Sequence, residues 1–172
     1  MTKKQLFIIT ALIVISGILA IVYFSGKTKL KPEVSTTPKT EEAVFTKHGE
    51  LSFIKAADNK LINTISVEFA KDEYSREKGL MYRRKMDEMQ GMLFFFEDNA
   101  PRNFWMKNTY ISLDIIYIGE NKKIVSIQKS AIPLSEESLP SFKDAMYVLE
   151  VIAGFTDKYG IKEGDEIQFT EK

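Results

Sequence analysis

Hydrophobic and polar positions divide the chain into three stretches of different texture. Residues 6–24 are 19 consecutive uncharged positions dominated by Ile, Leu, Val, Phe and Ala. Residues 26–47 show no apolar period and carry Pro32, Pro38 and the cluster Ser35-Thr36-Thr37. Residues 48–172 alternate with period two in short runs bounded by turn residues, the signature of strands with one buried face. In the run 61–70, Ile65, Val67 and Phe69 fall on one side and Thr64, Ser66 and Glu68 on the other. The pattern predicts a hairpin of strands 51–56 and 61–70 across Asp58-Asn59-Lys60. It predicts strands 91–97 and 102–109 on either side of a turn at Asp98-Asn99-Ala100-Pro101. A second hairpin, 112–118 with 123–129, follows across Gly119-Glu120-Asn121-Lys122, and strands at 145–153 and 166–170 complete the set. Residues 113–118 are apolar on both faces except for Asp114, as expected of a central strand.

Two segments read as helical. Residues 72–78 begin with acidic side chains and end before Gly79, the usual capping asymmetry. Residues 156–159 make one short turn. Many short strands with one or two short helices predict a mainly β fold, a compact barrel-like or rolled antiparallel sheet, since closure removes exposed edges.

The apolar run 6–24 is expected to be a single transmembrane helix. It would span roughly 28 Å as a helix, against a hydrocarbon core of about 30 Å. It shows no polar face, unlike a buried core helix. It is longer than a usual signal-peptide core, and no small-x-small cleavage pattern follows it. The expected organisation is a signal anchor at 1–25, a flexible linker at 26–47 and a soluble β-rich domain at 48–172. Lys3 and Lys4 before the run nearly balance Lys27, Lys29 and Lys31 after it, so the positive-inside rule gives almost a tie. The short basic head is expected to stay inside. The C-terminal domain would then lie outside the cytoplasm, periplasmic or extracellular, with the membrane as its first partner.

Composition removes several chemistries. The chain has no Cys and one His, His48. A lipoprotein anchor, a thiolate nucleophile and a usual zinc site are excluded on that count. His48 stands beside the linker and reads as a solvated loop residue, so an imidazole-based triad is not expected. Residues 48–172 hold 17 basic and 21 acidic side chains, a net charge of −4. That balance argues against nucleic-acid binding, which needs a basic field. No cofactor or metal is called for.

A denser pattern runs from Val67 to Phe169. It comprises Arg76, Gly79-Leu80-Met81, Arg83, Gly91-Met92-Leu93-Phe94, Phe96, and the block Phe104-Trp105-Met106-Lys107-Asn108-Thr109. Leu113-Asp114-Ile115-Ile116, Val148-Leu149-Glu150, Gly154 and Gly164-Asp165 follow. These residues resemble the bacterial and archaeal domain of unknown function 192 family. The resemblance implies a compact β-rich domain, often behind a signal or anchor, and no established activity.

The leading functional expectation is a non-enzymatic binding or accessory module for an envelope glycan or peptide. Its ligand would meet Trp105, Lys107, Asn108 and Asp114, with Arg76 and Arg83 nearby to grip an anionic group. Asp114 also has a structural reading, in which it caps the Asn108–Thr109 connection. Arg83-Arg84-Lys85 reads as a solvated charged face. Two further readings stay open. Asp114 and Glu150 facing one cleft would suit a glycan-active hydrolase. Met81, Met92 and Met106 would suit Cu(I) as soft ligands, or else fill core gaps against aromatic rings.

Overall fold

The computed structural model describes residues 44–172. The run 6–24 and most of the 26–47 tether lie outside the described residues. Among the described residues, no helix is long and apolar enough to cross a membrane.

Seven strands form one sheet: β1 (Gly49–Ile54), β2 (Leu61–Ala70), β3 (Gln90–Phe104), β4 (Leu113–Ile118), β5 (Ile124–Ala131), β6 (Leu139–Ile152) and β7 (Glu166–Glu171). Their order is β5-β4-β6-β3-β2-β1-β7. The sheet curls until its edges meet. Lys123 bridges to Glu166, Ile124 N–H donates to the Asp165 carbonyl at 2.8 Å, and Ile167 N–H donates to the Lys122 carbonyl at 2.9 Å. Two short helices, α1 (Glu73–Lys78) and α2 (Phe155–Tyr159), complete the domain.

The expected sheet was wholly antiparallel, and one pair is not. β2 and β3 run parallel, with Val67 opposite Gly91 and Ala70 opposite Phe94. A parallel pair needs a crossover rather than a hairpin. Here α1 and residues 79–89 supply it. Asp72 caps α1, accepting from Ser75 N–H while the Ser75 hydroxyl accepts from Asp72 N–H. Gly79 ends the helix with φ +44°, where a Cβ would stand 3.2 Å from the Phe94 ring. Backbone conformation and close packing both favour glycine there.

A second expectation is also corrected. Asp98-Asn99-Ala100-Pro101 is not a turn: β3 continues through it to Phe104 and pairs with a β6 that starts at Leu139. The ladder slips between Phe95 and Ala100 and again between Pro101 and Asn103. Such irregularities let a proline, which has no N–H to donate, sit within a strand. Arg102 straps the irregular stretch. Its Nε donates to the Ala145 carbonyl at 3.0 Å, and its guanidinium pairs with Asp98 at 2.5 Å. Residues 105–112 then form a connection rather than the predicted strand extension.

The two faces of the sheet bury different cores. Leu51, Phe53, Ile65, Val67, Leu93, Ile116, Leu149, Val151 and Ile167 fill the inside of the curl. One end of it is stopped by α2, whose Phe155 ring lies 5.7 Å from Phe53. On the outer face Met92, Phe94, Leu113, Ile115, Tyr117 and Val148 are covered by Leu80 and Met106 from the connections. β4 is therefore buried at every position.

Asp114 points into the curl and is fully buried. Its Oδ1 accepts from Ser130 N–H at 2.9 Å, and its Oδ2 accepts from Thr156 N–H at 3.0 Å and the Thr156 hydroxyl at 2.7 Å. The register of β4 against β5 shifts between Leu113 and Ile115, and Ser130 sits there with φ 51°. One carboxylate thus holds a β5 bulge and the start of α2. The Asn108–Thr109 connection, expected to supply the partners, does not. Replacing Asp114 leaves those donors unsatisfied in the core, where an orphaned group costs about 1–3 kcal/mol. Asp114→Ala should lower stability by roughly 3 kcal/mol, with Asp114→Asn between it and wild type, measured by urea unfolding. Unchanged unfolding of Asp114→Ala would contradict this account.

Candidate functional site

Outside the sheet, next to α1, the surface opens into a groove of about 300 Å³. Its wall is aromatic: Phe94, Phe96, Phe104 and Trp105. Phe94 packs edge-on against Phe104 at 5.1 Å, and Phe104 against Tyr117 at 6.0 Å. Arg76 lines the groove but is already engaged, donating through Nη1 to the carbonyls of Lys71 at 2.7 Å and Phe95 at 3.1 Å. Its guanidinium also lies 5.6 Å over Phe96.

Trp105 is 47 % exposed, with Lys107 Nζ 4.9 Å from its ring. It stands on a ridge. Beyond it a second depression of about 320 Å³ shares Asn103, Phe104 and Trp105 and adds Glu136 and Ser138.

Glu150, on β6, lines the floor of the first groove. Register explains what surrounds it. Glu68 lies opposite Met92, Met92 opposite Glu150, and Glu150 opposite Ile115, one row across four strands on the outer face. Glu68 and Glu150 are 6 % and 5 % exposed, and Arg83 is 4 % exposed. Arg83 Nη2 lies 2.7 Å from Glu68 Oε2 without hydrogen-bond alignment. Among the described residues, the buried atoms Glu68 Oε2, Arg83 Nε and Glu150 Oε2 have no hydrogen-bond partner. Burial pushes the Glu150 carboxyl up to about 8, against the pull of Arg83. Burial and the neighbouring Glu150 also raise the Tyr117 phenol.

The six residues singled out in the sequence fall in different places. Arg76, Trp105 and Lys107 line the groove. Arg83 lies beneath, paired with Glu68, so the anion it faces is internal; its place in a charged run misleads about its burial. Arg84, its neighbour, lies 4.7 Å over Tyr110. Asn108, at φ 55°, donates from its amide to the Tyr82 hydroxyl at 3.0 Å and fastens residues 105–112 to the segment after α1. Asp114 lies on the opposite face of the sheet. It is opposite Val151, one residue from Glu150, so the two carboxylates point to opposite faces. They do not share a cleft, which removes the expected acid–base pair. Met92 and Met106 pack in the outer core, and Met81 lines the groove.

Glu68 was missed. It sits on the polar side of an alternating strand and reads there as solvent-facing. Arg83, fifteen positions on, and Thr46 N–H, which donates to its Oε1 at 3.0 Å, both meet it.

The Glu150 environment makes stability depend on pH. The unfolded carboxyl ionises near 4.5 and the folded one near 8. Between those values the folded state holds the extra proton. This group's contribution is therefore full below about pH 4.5 and is lost as pH rises through 8. Glu150→Gln carries no such proton. Its stability relative to wild type should rise from pH 5 to 8, by about 1.4 kcal/mol per pH unit at most, and then level off. Parallel urea titrations at pH 5, 6.5, 8 and 9 check this; a constant difference would refute it.

Residues 53–169 match the model of the domain of unknown function 192 family, described as uncharacterized ACR. No curated protein matches. The crystal structure of a candidate transcription regulator from Sinorhizobium meliloti 1021 is similar, with 36 % identity and a TM-score of 0.68 over 73 % of this chain and 98 % of that one. A protein of unknown function from Novosphingobium aromaticivorans DSM 12444 shares 30 % identity and a TM-score of 0.65, over 69 % and 83 % of the two chains. On the family match and these likenesses, the chain belongs to the domain of unknown function 192 family.

Proposed function

We propose that this protein is a non-enzymatic binding module for a glycan strand of the cell envelope, held at the outer face of the membrane by residues 6–24. The observation that carries the reading is Trp105 on its ridge, half exposed between two depressions that share it. A ligand made of repeated units fits such a ridge, one unit on either side. An aromatic plane with polar groups at its edge suits a sugar ring, and Asn103 and Lys107 supply those groups. A hydrolytic reading loses its support, because Asp114 is bonded on the inner face. A copper reading loses it because Met92 and Met106 belong to the packed core. The regulator description of the Sinorhizobium relative would need a basic surface for phosphates, and residues 48–172 carry a net charge of −4.

The test is calorimetric titration of purified full-length protein with soluble glycan strands released from peptidoglycan and, separately, with their stem peptides. Glycan strands should bind, and Trp105→Ala should weaken binding at least about tenfold with an unchanged thermal midpoint, as a half-exposed side chain allows. Binding of stem peptides alone would replace the glycan by a peptide. Full binding by Trp105→Ala would remove the ridge from the site.

A further inference from the structure

The groove floor holds a group that the glycan reading does not yet use. Glu150 is nine-tenths buried, its Oε2 has no hydrogen-bond partner among the described residues, and it lines the groove beside the aromatic wall. A buried polar atom without a partner is costly, and each such case asks for an explanation. Oε2 itself is shut off from solvent, so a partner from outside meets the carboxyl at its groove-facing edge.

Its chemistry follows from the surroundings. From the segment after α1, Arg83 faces Glu150, but Arg83 is drawn to Glu68 of β2. From β4, Tyr117 faces it with its hydroxyl already given to the Leu139 carbonyl. At the rim, α1 brings Glu73 and Glu77 together with Arg76 and Lys78, which balance in charge. Lys107 is placed over Trp105. With Lys107 the rim carries a single excess positive charge, spread too thinly to select strongly for an anion. A carboxyl group kept protonated by burial offers an O–H donor, which seeks a neutral acceptor. The wall beside it offers aromatic surface, which seeks an apolar group next to that acceptor.

We propose that the groove receives the acetamide of an N-acetylated amino sugar, with the Glu150 carboxyl donating to its carbonyl oxygen and its methyl group lying against Phe94 and Phe104. This deepens the glycan reading and rests on it: it names the sugar and the contact that selects it. An amide carbonyl is a stronger acceptor than a sugar hydroxyl. Its methyl group covers apolar wall that a hydroxyl would leave wet. The contact also makes binding fall when Glu150 ionises.

The experiment follows the fluorescence of Trp105, the sole tryptophan, in the full-length protein. The probes are the tetramers of N-acetylglucosamine, glucosamine and glucose. At pH 6 the N-acetylated tetramer should bind at least about tenfold tighter than the other two. Its affinity should fall about tenfold between pH 7 and 9, as Glu150 loses its proton near 8. Glu150→Gln, with a permanent N–H donor, should keep binding within a few-fold and lose the pH dependence. Glu150→Ala should lose about tenfold or more. If Glu150→Ala proves unfolded by its thermal melt, the pH profile of Glu150→Gln still decides.

Equal binding of the glucose tetramer overturns this inference and leaves the glycan reading standing. A flat wild-type pH profile does the same. Preference for the cationic glucosamine tetramer, lost in Glu150→Gln, would show a carboxylate gripping a cation and overturns it too. Failure of all three tetramers to bind overturns the glycan reading together with the acetamide contact.

Discussion

Burial of both faces of the central strands is the constraint on which this domain depends. A sheet of seven strands that curls to enclose a core needs only one apolar face. Here β3, β4 and β6 bury the other face as well, under Leu80, Met106 and the connections that carry them. A polar side chain in the stretches 91–94, 113–118 and 148–151 of these strands is then buried whichever way it points. Asp114 and Glu150 are the two acids caught in this way, one on each face. Burial penalises a charged carboxylate by several kcal/mol unless it is paired, so each needs a solution. Asp114 has three donors on its two oxygens. Glu150 has Arg83 at a distance and an oxygen without a partner among the described residues. The same constraint yields a satisfied structural anchor on one face and an unsatisfied acid on the other.

The sequence shows the elements far better than their neighbours. Alternation in 61–70, the apolar run 113–118 and the Asp72…Gly79 framing of α1 are local patterns, and the structure follows them. Pairing is not local. That β2 lies parallel to β3 depends on α1 and residues 79–89 crossing the sheet, which period-two counting cannot report. Asp114 was legible as a group that must be satisfied, but its partners, Ser130 and Thr156, come from 16 and 42 residues away. Pro101 reads as a turn residue because proline usually ends a strand; only the two slips in the β3–β6 ladder let the strand continue. Glu68 shows the opposite error, a polar position that alternation assigns to solvent and tertiary structure buries.

Candidate site residues divide in the same way. Trp105 and Lys107 come from a single block; Trp105 is exposed, and half-buried Lys107 stands over its ring. Arg76, Arg83 and Asn108 come from equally distinctive positions, yet their polar groups are spent inside the domain. Arg76 ties two backbone carbonyls, and Asn108 joins residues 105–112 to Tyr82. Their chemistry builds the groove. A sequence motif marks residues that matter to a site, without separating those that touch a ligand from those that hold the wall.

Glu150 is where the fold leaves a buried acid unmet among the described residues. Replacing it by Gln, or by an apolar side chain of similar volume, would spare the desolvation of a carboxyl group whose neighbours do not satisfy it. A group that serves only the fold is expected to be satisfied, as Asp114 is. Rigid surroundings strengthen the point: Gly79 packs on Phe94, Arg76 is clamped at two carbonyls, and Phe104 is wedged between Phe94 and Tyr117. The groove cannot collapse onto the free oxygen without breaking these contacts. A carboxyl whose groove-facing edge lies on a floor held open by its walls would be pre-organised for an acceptor entering the groove, and pre-organisation is what lets a small contact select its ligand.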